Sequence, residues 1–386
     1  MTGQIKRRWR SPAILGGVIA AGALALAGSV GVTAAKTPAS FPVPTGGKLG
    51  FVVTYFYYAM YQGPDACPQG MQPIQTSEDF LKKYPADERA KLQRPENKRE
   101  LYRKMSERGP KGENVCKTPW AAPDPQMYTL AGDRNDGLDL DGSKVDTSSD
   151  DYTCPHKQYV GEDGQIGVDN QVGRMFACAK GLREKGTLTP YFTQVMRDGM
   201  WSMLIDVSGV DDLRNDPDVT VDFYAGDDTM MKDPSGKVLA GASLAPKTDP
   251  KFHRQVRARI KNGVLESVPI ADLVIPDIMS NRSPPITIER PRLKLTLLEN
   301  GAAKGFLGGY IPIKQYTREG EDAAGEAYSG TLCNGTYYAA IKLADGAKDP
   351  KTGQCEALSA SFRIEAIPAF IVHPDKEPVR TFAKGS

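Results

Sequence analysis

The chain has 386 residues, of which 40% are hydrophobic and 25% charged, and its 49 basic and 47 acidic side chains leave a formal charge of +2. These values exclude a disordered tail protein, a multi-span membrane protein and a strongly basic nucleic-acid-binding protein. The 39 glycines and 29 prolines favour a turn-rich fold over a helical bundle, and the length favours two domains or one large β-rich domain.

The N-terminus predicts export. A basic patch from Lys6 to Arg10 precedes an uncharged run rich in glycine and alanine that ends at Ala35. This pattern is typical of a cleavable signal peptide, and the run is also long enough for an uncleaved anchor. We therefore predict a signal peptide or N-terminal membrane anchor over residues 1–35 and a linker over residues 36–47. Without residues 1–35 the chain keeps 45 basic and 47 acidic side chains, a balance that does not favour a polyanionic partner.

The cysteines predict covalent stapling. Six cysteines in an exported chain form an even set, for which 15 pairings exist. Their spacing favours three local loops, each contributing on the order of 3–4 kcal/mol. The predicted pairs are Cys67–Cys116, Cys154–Cys178 and Cys333–Cys355. Metal binding through Cys154-Pro155-His156 is the alternative, which the lack of a CxxC motif disfavours.

Residues 48–200 predict an α+β region with a helical insertion. Residues 49–61 are β-branched and aromatic on both faces, which predicts a buried strand, with an aromatic ligand platform as the alternative. Helical spacing follows over residues 76–108, after a capping pattern at Thr76. Its apolar stripe consists of Phe80, Tyr84, Leu92, Leu101, Tyr102 and Met105. Two further short helices are predicted, one beginning near Asp169 and one over residues 190–197.

Residues 201–386 predict a β-rich region. Asn262-Gly263 and Asn300-Gly301 each lie beside alternating apolar and polar residues, which indicates hairpins. Closely spaced strands with turn residues predict a mainly β or α+β fold. The two candidate architectures are an antiparallel β-sandwich and an open barrel, with short helical insertions and disulfide staples.

An acidic segment at residues 133–142 predicts a calcium site. Oxygen ligands around a glycine suit Ca²⁺, which takes six to eight of them. The candidate metal ligands are Asp133, Asn135, Asp139 and Asp141. The alternative is a β-turn at residues 135–137, which would leave Asp139 and Asp141 solvated.

A second acidic segment, residues 162–171, predicts either a ligand loop or a helix cap. Two glycines make a tight loop before the next helix. The residues concerned are Asp163, Asp169 and Asn170. In the capping alternative, Asp169 is the N-cap whose carboxylate accepts from free helix amides. In the ligand alternative, the loop holds a metal or a polar ligand.

Catalytic signatures are missing from the sequence. There is no GxSxG, HExxH, CxxCH or Walker motif, and His156, His253 and His373 are the only histidines. Three segments carry a resemblance instead: YFYYAMYQGPDACPQG at residues 55–70, RGPKGENVC at 108–116 and CPHKQYVGEDGQIGVDNQ at 154–171. In this order they resemble an uncharacterised family of exported proteobacterial proteins. The resemblance supports export and implies no activity.

We predict an exported, non-enzymatic binding or assembly protein of the bacterial envelope, with Ca²⁺ as its candidate stabilising ion. It would be periplasmic, outer-membrane-associated or extracellular. Its partner would be an envelope polymer, a lipid-like ligand or a protein complex, not nucleic acid, and a membrane only if residues 1–35 are retained. Two alternatives stay open: a secreted hydrolase with a carboxylate or calcium-assisted site near Asp139, Asp141 and Asp169, and a membrane-tethered accessory subunit of a larger envelope complex.

Overall fold

Strands joined by turns are the main secondary structure of the protein. The computed structural model describes residues 46–72, 77–148, 150–186, 189–199, 201–269, 271–276, 285–316 and 329–373. The strands are β1 (Lys48–Tyr58), β2 (Tyr159–Val160), β3 (Ile166–Val168), β4 (Met203–Ser208), β5 (Asn215–Ala225), β6 (Ala242–Leu244), β7 (His253–Lys261), β8 (Val264–Ser267), β9 (Leu273–Ile275), β10 (Ile286–Leu297), β11 (Ala303–Pro312), β12 (Gly346–Lys348) and β13 (Cys355–Ile371). The helices are α1 (Ser77–Leu81), α2 (Ala86–Leu92), α3 (Lys98–Ser106), α4 (Gln171–Phe176), α5 (Thr189–Arg197) and α6 (Ser329–Leu343).

The predicted signal peptide or anchor, and most of the predicted linker, lie outside the described residues. Within the part of the chain that is described, no helix combines the length and apolar character needed to span a bilayer.

Eight strands form a closed antiparallel barrel. They pair in the order β1-β4-β5-β7-β8-β10-β11-β13, and β13 pairs with β1 to complete the circle. The structure thus confirms the mainly β fold and a barrel, which is closed where an open one was predicted, and the alternative sandwich is not seen in the described residues. The sequence reveals strands but not which edges meet. In the closing pair, the hydroxyl of Thr54 donates to the carbonyl of Glu365, which is 311 positions away in the chain. Because β1 lies between β4 and β13, both predicted regions, 48–200 and 201–386, contribute strands to this barrel.

Local turn chemistry sets the hairpins, as predicted. Asn262 and Gly263 have φ angles of 52° and 77°, the two positive values that a tight hairpin turn requires, and Lys261 pairs with Val264 across it. Asn300-Gly301 lies in the turn between β10 and β11, where Leu297 pairs with Ala303.

Strand β13 separates two environments because successive side chains point to opposite faces of a sheet. One face adds buried apolar side chains to the main core. These are Leu358, Ala360, Phe362 and Ile364. The other face presents Ser359, Ser361 and Arg363 to residues 133–171, which we call the overlying segment. The candidate site lies between this face and the overlying segment.

The predicted helical insertion is confirmed as a small separate cluster. Helices α1 to α3 pack their apolar residues against one another and not into the main core. The buried members are Phe80, Leu81, Leu92, Leu101 and Met105, with Tyr84 and Tyr102 packed against them. The predicted cap at Thr76 lies outside the described residues.

The cysteines form three disulfides, but none of the predicted pairs is correct. The observed bonds are Cys67–Cys178, Cys116–Cys333 and Cys154–Cys355, with sequence separations of 111, 217 and 201 residues. Barrel closure brings the C-terminal strands beside the N-terminal half, so distant cysteines meet where neighbouring ones do not. Three disulfides indicate an oxidising compartment to which the protein is exported.

Candidate functional site

The overlying segment is fixed to the barrel by hydrogen bonds from β13. Ser359 Oγ accepts from the amide of Gln171 at 2.9 Å, and Ser361 Oγ accepts from the amide of Leu138 at 3.1 Å. A side chain at Gly137 would collide with Ser361, because a Cβ there would lie 2.6 Å from its Oγ. The segment therefore lies directly on the strand, and its polar residues face a buried interface.

Two buried asparagines hold the bends of the overlying segment. Asn135 Oδ1 accepts from the amides of Tyr61 and Asp136, each at 3.1 Å, and its Nδ2 donates to the carbonyl of Asn170 at 2.9 Å. Asn170 Oδ1 in turn accepts from the amide of Gly173 at 2.8 Å and caps α4. The N-cap is therefore Asn170, and the prediction that Asp169 caps this helix is wrong. Asn135, a predicted metal ligand, uses both amide atoms on backbone groups.

The other residues predicted from the acidic segments are dispersed. Asp133 is exposed and pairs with Lys157 at 2.8 Å, which lowers the pKa of its carboxyl group. Asp139 pairs with Lys144. Asp163 accepts from the amide of Gln165 at 3.0 Å. Within the described ranges, Asp133, Asp139 and Asp141 do not form a common group of metal-binding atoms, and Asp141 joins a different group.

That group comprises Asp141, which is half-buried, together with His156 and Asp169. Asp345 lies next to His156 but outside the group, and we call the four residues together the buried cluster. His156 Nε2 lies 2.8 Å from Asp169 Oδ1 and 3.7 Å from Asp345 Oδ2. The side chain of His156 is 3% exposed and both of these carboxylates are fully buried. His156 Nδ1 lies 2.7 Å from the carbonyl oxygen of Cys154, so this nitrogen carries a proton and donates it.

Backbone amides position the carboxylates of the buried cluster. Asp169 Oδ2 accepts from the amides of Leu140 at 2.6 Å and Asp141 at 3.1 Å, while its other oxygen faces the histidine. Asp345 Oδ1 accepts from the amide of Ser359 on β13 at 2.6 Å. Each carboxylate thus has one oxygen bound to backbone and the other turned toward His156.

Burial and charge oppose each other in this cluster. Burial lowers the pKa of His156, but the hydrogen bond to Asp169 and the charge of Asp345 outweigh it and raise the pKa to about 9. Burial raises the pKa of Asp345 to about 7, against the lowering effect of charged His156. Without a further cation, three acidic groups therefore share one imidazolium in an interior that disfavours net charge.

Residues 138–139 also line a cleft of about 710 Å³. It crosses β5, β7, β8 and β10, and most of its lining residues are charged or polar. The lining comprises Leu138, Asp139, Gln165, Pro217, Asp218, Arg257, Ala258, Arg259, Glu266, Ser267, Val268, Pro269, Arg292, Leu293 and Lys294. Asp139 lines the cleft and Asp141 belongs to the buried cluster, so residues 139–141 contribute to both features.

Sequence reasoning missed Asp345 and Arg292 and considered His156 only beside Cys154. Asp345 stands alone between Ala344 and Gly346, with no local pattern that marks it. Arg292 is one of several basic residues that alternate along β10. Only their positions in the folded barrel distinguish them.

Comparisons of the chain with protein-family models, with curated proteins and with solved structures find no match. The cleft and the buried cluster are therefore the observations from which a function is proposed.

Proposed function

We propose that this protein is an exported, non-enzymatic binding protein of the bacterial envelope, which holds an acidic polymer in the cleft. The polymer would carry one carboxylate or phosphate group on each repeat unit of a hydroxyl-rich chain. The observation that carries the proposal is that Arg292, a basic side chain lining the cleft, has no carboxylate partner among the described residues.

The other three cations of the cleft already have acidic partners. Salt bridges join Arg257 to Asp218 at 2.7 Å, Arg259 to Glu266 at 3.0 Å and Lys294 to Asp163 at 3.5 Å. A dense polyanion would have to displace all of these pairs, whereas a singly charged repeat unit would not. This agrees with the near balance of charge over the whole chain.

Arg292 is half-buried and incompletely bonded. Its Nη1 donates to the carbonyl of Asp139 at 3.4 Å, and its Nε is buried with no hydrogen-bond partner in the described part of the chain. A guanidinium presents parallel N–H donors that match a carboxylate or phosphate. An acidic group of a ligand would complete these bonds, while Pro217, Val268 and Pro269 offer apolar contacts to a sugar ring.

The two alternative functions stay predictions. The hydrolase requires Asp139, Asp141 and Asp169 around one substrate, but the structure brings Asp139 to the cleft and buries Asp169 completely beneath the loop. The tethered subunit depends on residues 1–35, which lie outside the described residues. A lipid-like ligand or a protein partner is a competing occupant of the same cleft.

We expect Arg292→Ala to weaken binding of an acidic sugar oligomer by about 10- to 100-fold, since hydrogen bonds to charged groups contribute roughly 1.5–3 kcal/mol. Trigalacturonate is the probe, with its methyl ester as the uncharged counterpart, and titration calorimetry at low salt measures the dissociation constants. Arg103→Ala removes a similar charge from α3, away from the cleft, and should leave binding unchanged.

Three results would contradict the proposal. The first is equal binding of trigalacturonate and its methyl ester, which would show that the acidic group is not recognised. The second is wild-type affinity in the Arg292→Ala variant. The third is binding of neither probe by the wild-type protein, which would reject an acidic sugar polymer and favour the lipid or protein occupant.

A further inference from the structure

The buried cluster has the donor atoms of a metal centre. Asp141, His156 and Asp169 each offer one ligand atom, and these atoms lie within 4.8 Å of one another. Zinc lies about 2.0–2.2 Å from nitrogen and carboxylate ligands, so the donors around one ion are roughly 3–4 Å apart. Small side-chain movements are sufficient to reach this spacing.

Several buried polar atoms near the cluster lack hydrogen-bond partners among the described residues, and two of them bear on a ligand. Asp345 Oδ2 is one, although its carboxylate is fully buried and lies 3.7 Å from His156 Nε2. The hydroxyl of Tyr310 is the other. A Cβ at Gly346 would lie 2.3 Å from the ring of Tyr310, so this ring packs against the residue that follows Asp345. Buried polar atoms normally have partners, so these two indicate a ligand at this point.

The ring orientation of His156 is the one that metal ligation requires, and a metal ion would displace the proton from Nε2. Histidines that bind metals donate their second ring N–H to a carbonyl or a carboxylate, which fixes the ring. His156 donates from Nδ1 to the carbonyl of Cys154, so Nε2 faces Asp169 and Asp345. The carboxylates are likewise anchored through their outer oxygens by backbone amides.

We infer that the buried cluster binds one first-row divalent cation, Zn²⁺ or Mn²⁺, through His156 Nε2 and carboxylate oxygens of Asp141, Asp169 and Asp345. Imidazole with carboxylates suits these ions, whereas Ca²⁺ prefers oxygen ligands alone. Of the four ligands predicted for calcium, Asp141 alone belongs to this site. The inference does not depend on a ligand in the cleft.

Metal retention after refolding tests this site. The full chain, with its disulfides intact, is unfolded in denaturant with EDTA and refolded separately in Zn²⁺, Mn²⁺, Ca²⁺ or EDTA. After gel filtration we expect one Zn²⁺ or Mn²⁺ per chain by mass spectrometry of the elements. With free metal near a hundred times Kd, the melting temperature should rise by about 5–10 °C over EDTA.

Variants separate ligation from folding. Asp345→Asn and His156→Gln should each raise the Kd for Zn²⁺ at least tenfold, and His156→Gln should also remove the visible absorption bands of the Co²⁺-loaded protein. Asp345→Asn keeps the shape of the side chain. If His156→Gln does not fold, the Zn²⁺ affinity of Asp345→Asn alone tests the site. Asp133→Asn changes an exposed carboxylate outside the cluster and should retain metal like the wild type.

Three outcomes would overturn the inference. The first is a wild-type chain that retains neither Zn²⁺ nor Mn²⁺ after refolding. The second is retention of Ca²⁺ alone, lost in Asp133→Asn, which would restore the site predicted from the acidic segment. The third is undiminished Zn²⁺ affinity in Asp345→Asn.

Discussion

Phe362→Ala is expected to lower the free energy of unfolding by about 3–5 kcal/mol, the cost of replacing a buried aromatic side chain by alanine. Phe362 is 1% exposed, and its ring stacks on Phe56 with the centroids 4.5 Å apart and lies 5.2 Å from the ring of Tyr58. These rings join β13 to β1, the pair that closes the barrel. Urea unfolding of the oxidised protein measures the change.

Phe370 provides a matched control on the same strand. It carries the same side chain but is 65% exposed, so Phe370→Ala should change the stability by less than about 0.5 kcal/mol. Similar losses for the two variants would show that the core does not lie on the face of β13 that carries Phe362.

The second large effect concerns the disulfide between Cys154 and Cys355. Replacing both cysteines by serine should lower the stability by about 4 kcal/mol, because the bond restricts the unfolded chain. The loop that it closes runs through the Cys116–Cys333 disulfide and is much shorter than the 201 residues between the two cysteines. This bond also lies beside the buried cluster, since the amide of Cys154 donates to the carbonyl of Asp345 at 2.9 Å. Denaturant unfolding without reductant measures the loss.

The disulfide between Cys67 and Cys178 gives the comparison, because its cysteines are 111 residues apart. With the other two bonds intact, the covalent loops closed by the two disulfides differ by less than twofold, so the chain-entropy argument gives losses within about 0.5 kcal/mol of each other. A loss below about 1 kcal/mol for the Cys154 and Cys355 double variant would contradict the expectation. It would mean that the two remaining disulfides already restrict this loop in the unfolded chain.

Features encoded within a few residues of one another could be predicted from the sequence. The turn at Asn262-Gly263 requires two positive φ angles, which this pair adopts readily, so the hairpin follows from local chemistry. The apolar spacing of α1 to α3 likewise encodes their common core, which forms between neighbouring helices. Strand β1 was predicted from its aromatic and β-branched residues alone and extends over Lys48–Tyr58.

Features that depend on barrel closure could not be predicted. Asp345 meets His156 only because β13 brings Ser359 under the overlying segment, and nothing beside Asp345 in the sequence indicates this. Asp169 and Asn170 illustrate the same limit at short range. Either side chain can cap a helix, and the partners that distant residues offer decide which one does.

Barrel closure also sets the order of events when the chain is made. Synthesis proceeds from the N-terminus, so β1 and the first four cysteines emerge long before β13, with which β1 pairs across 311 residues. Cys116 and Cys154 must wait for Cys333 and Cys355, while Cys67 and Cys116 are already available to each other. The pairs accessible earliest are absent from the native structure. Any bond that forms between Cys67 and Cys116 before Cys333 and Cys355 emerge must therefore be broken by thiol–disulfide exchange before the native pairs can form.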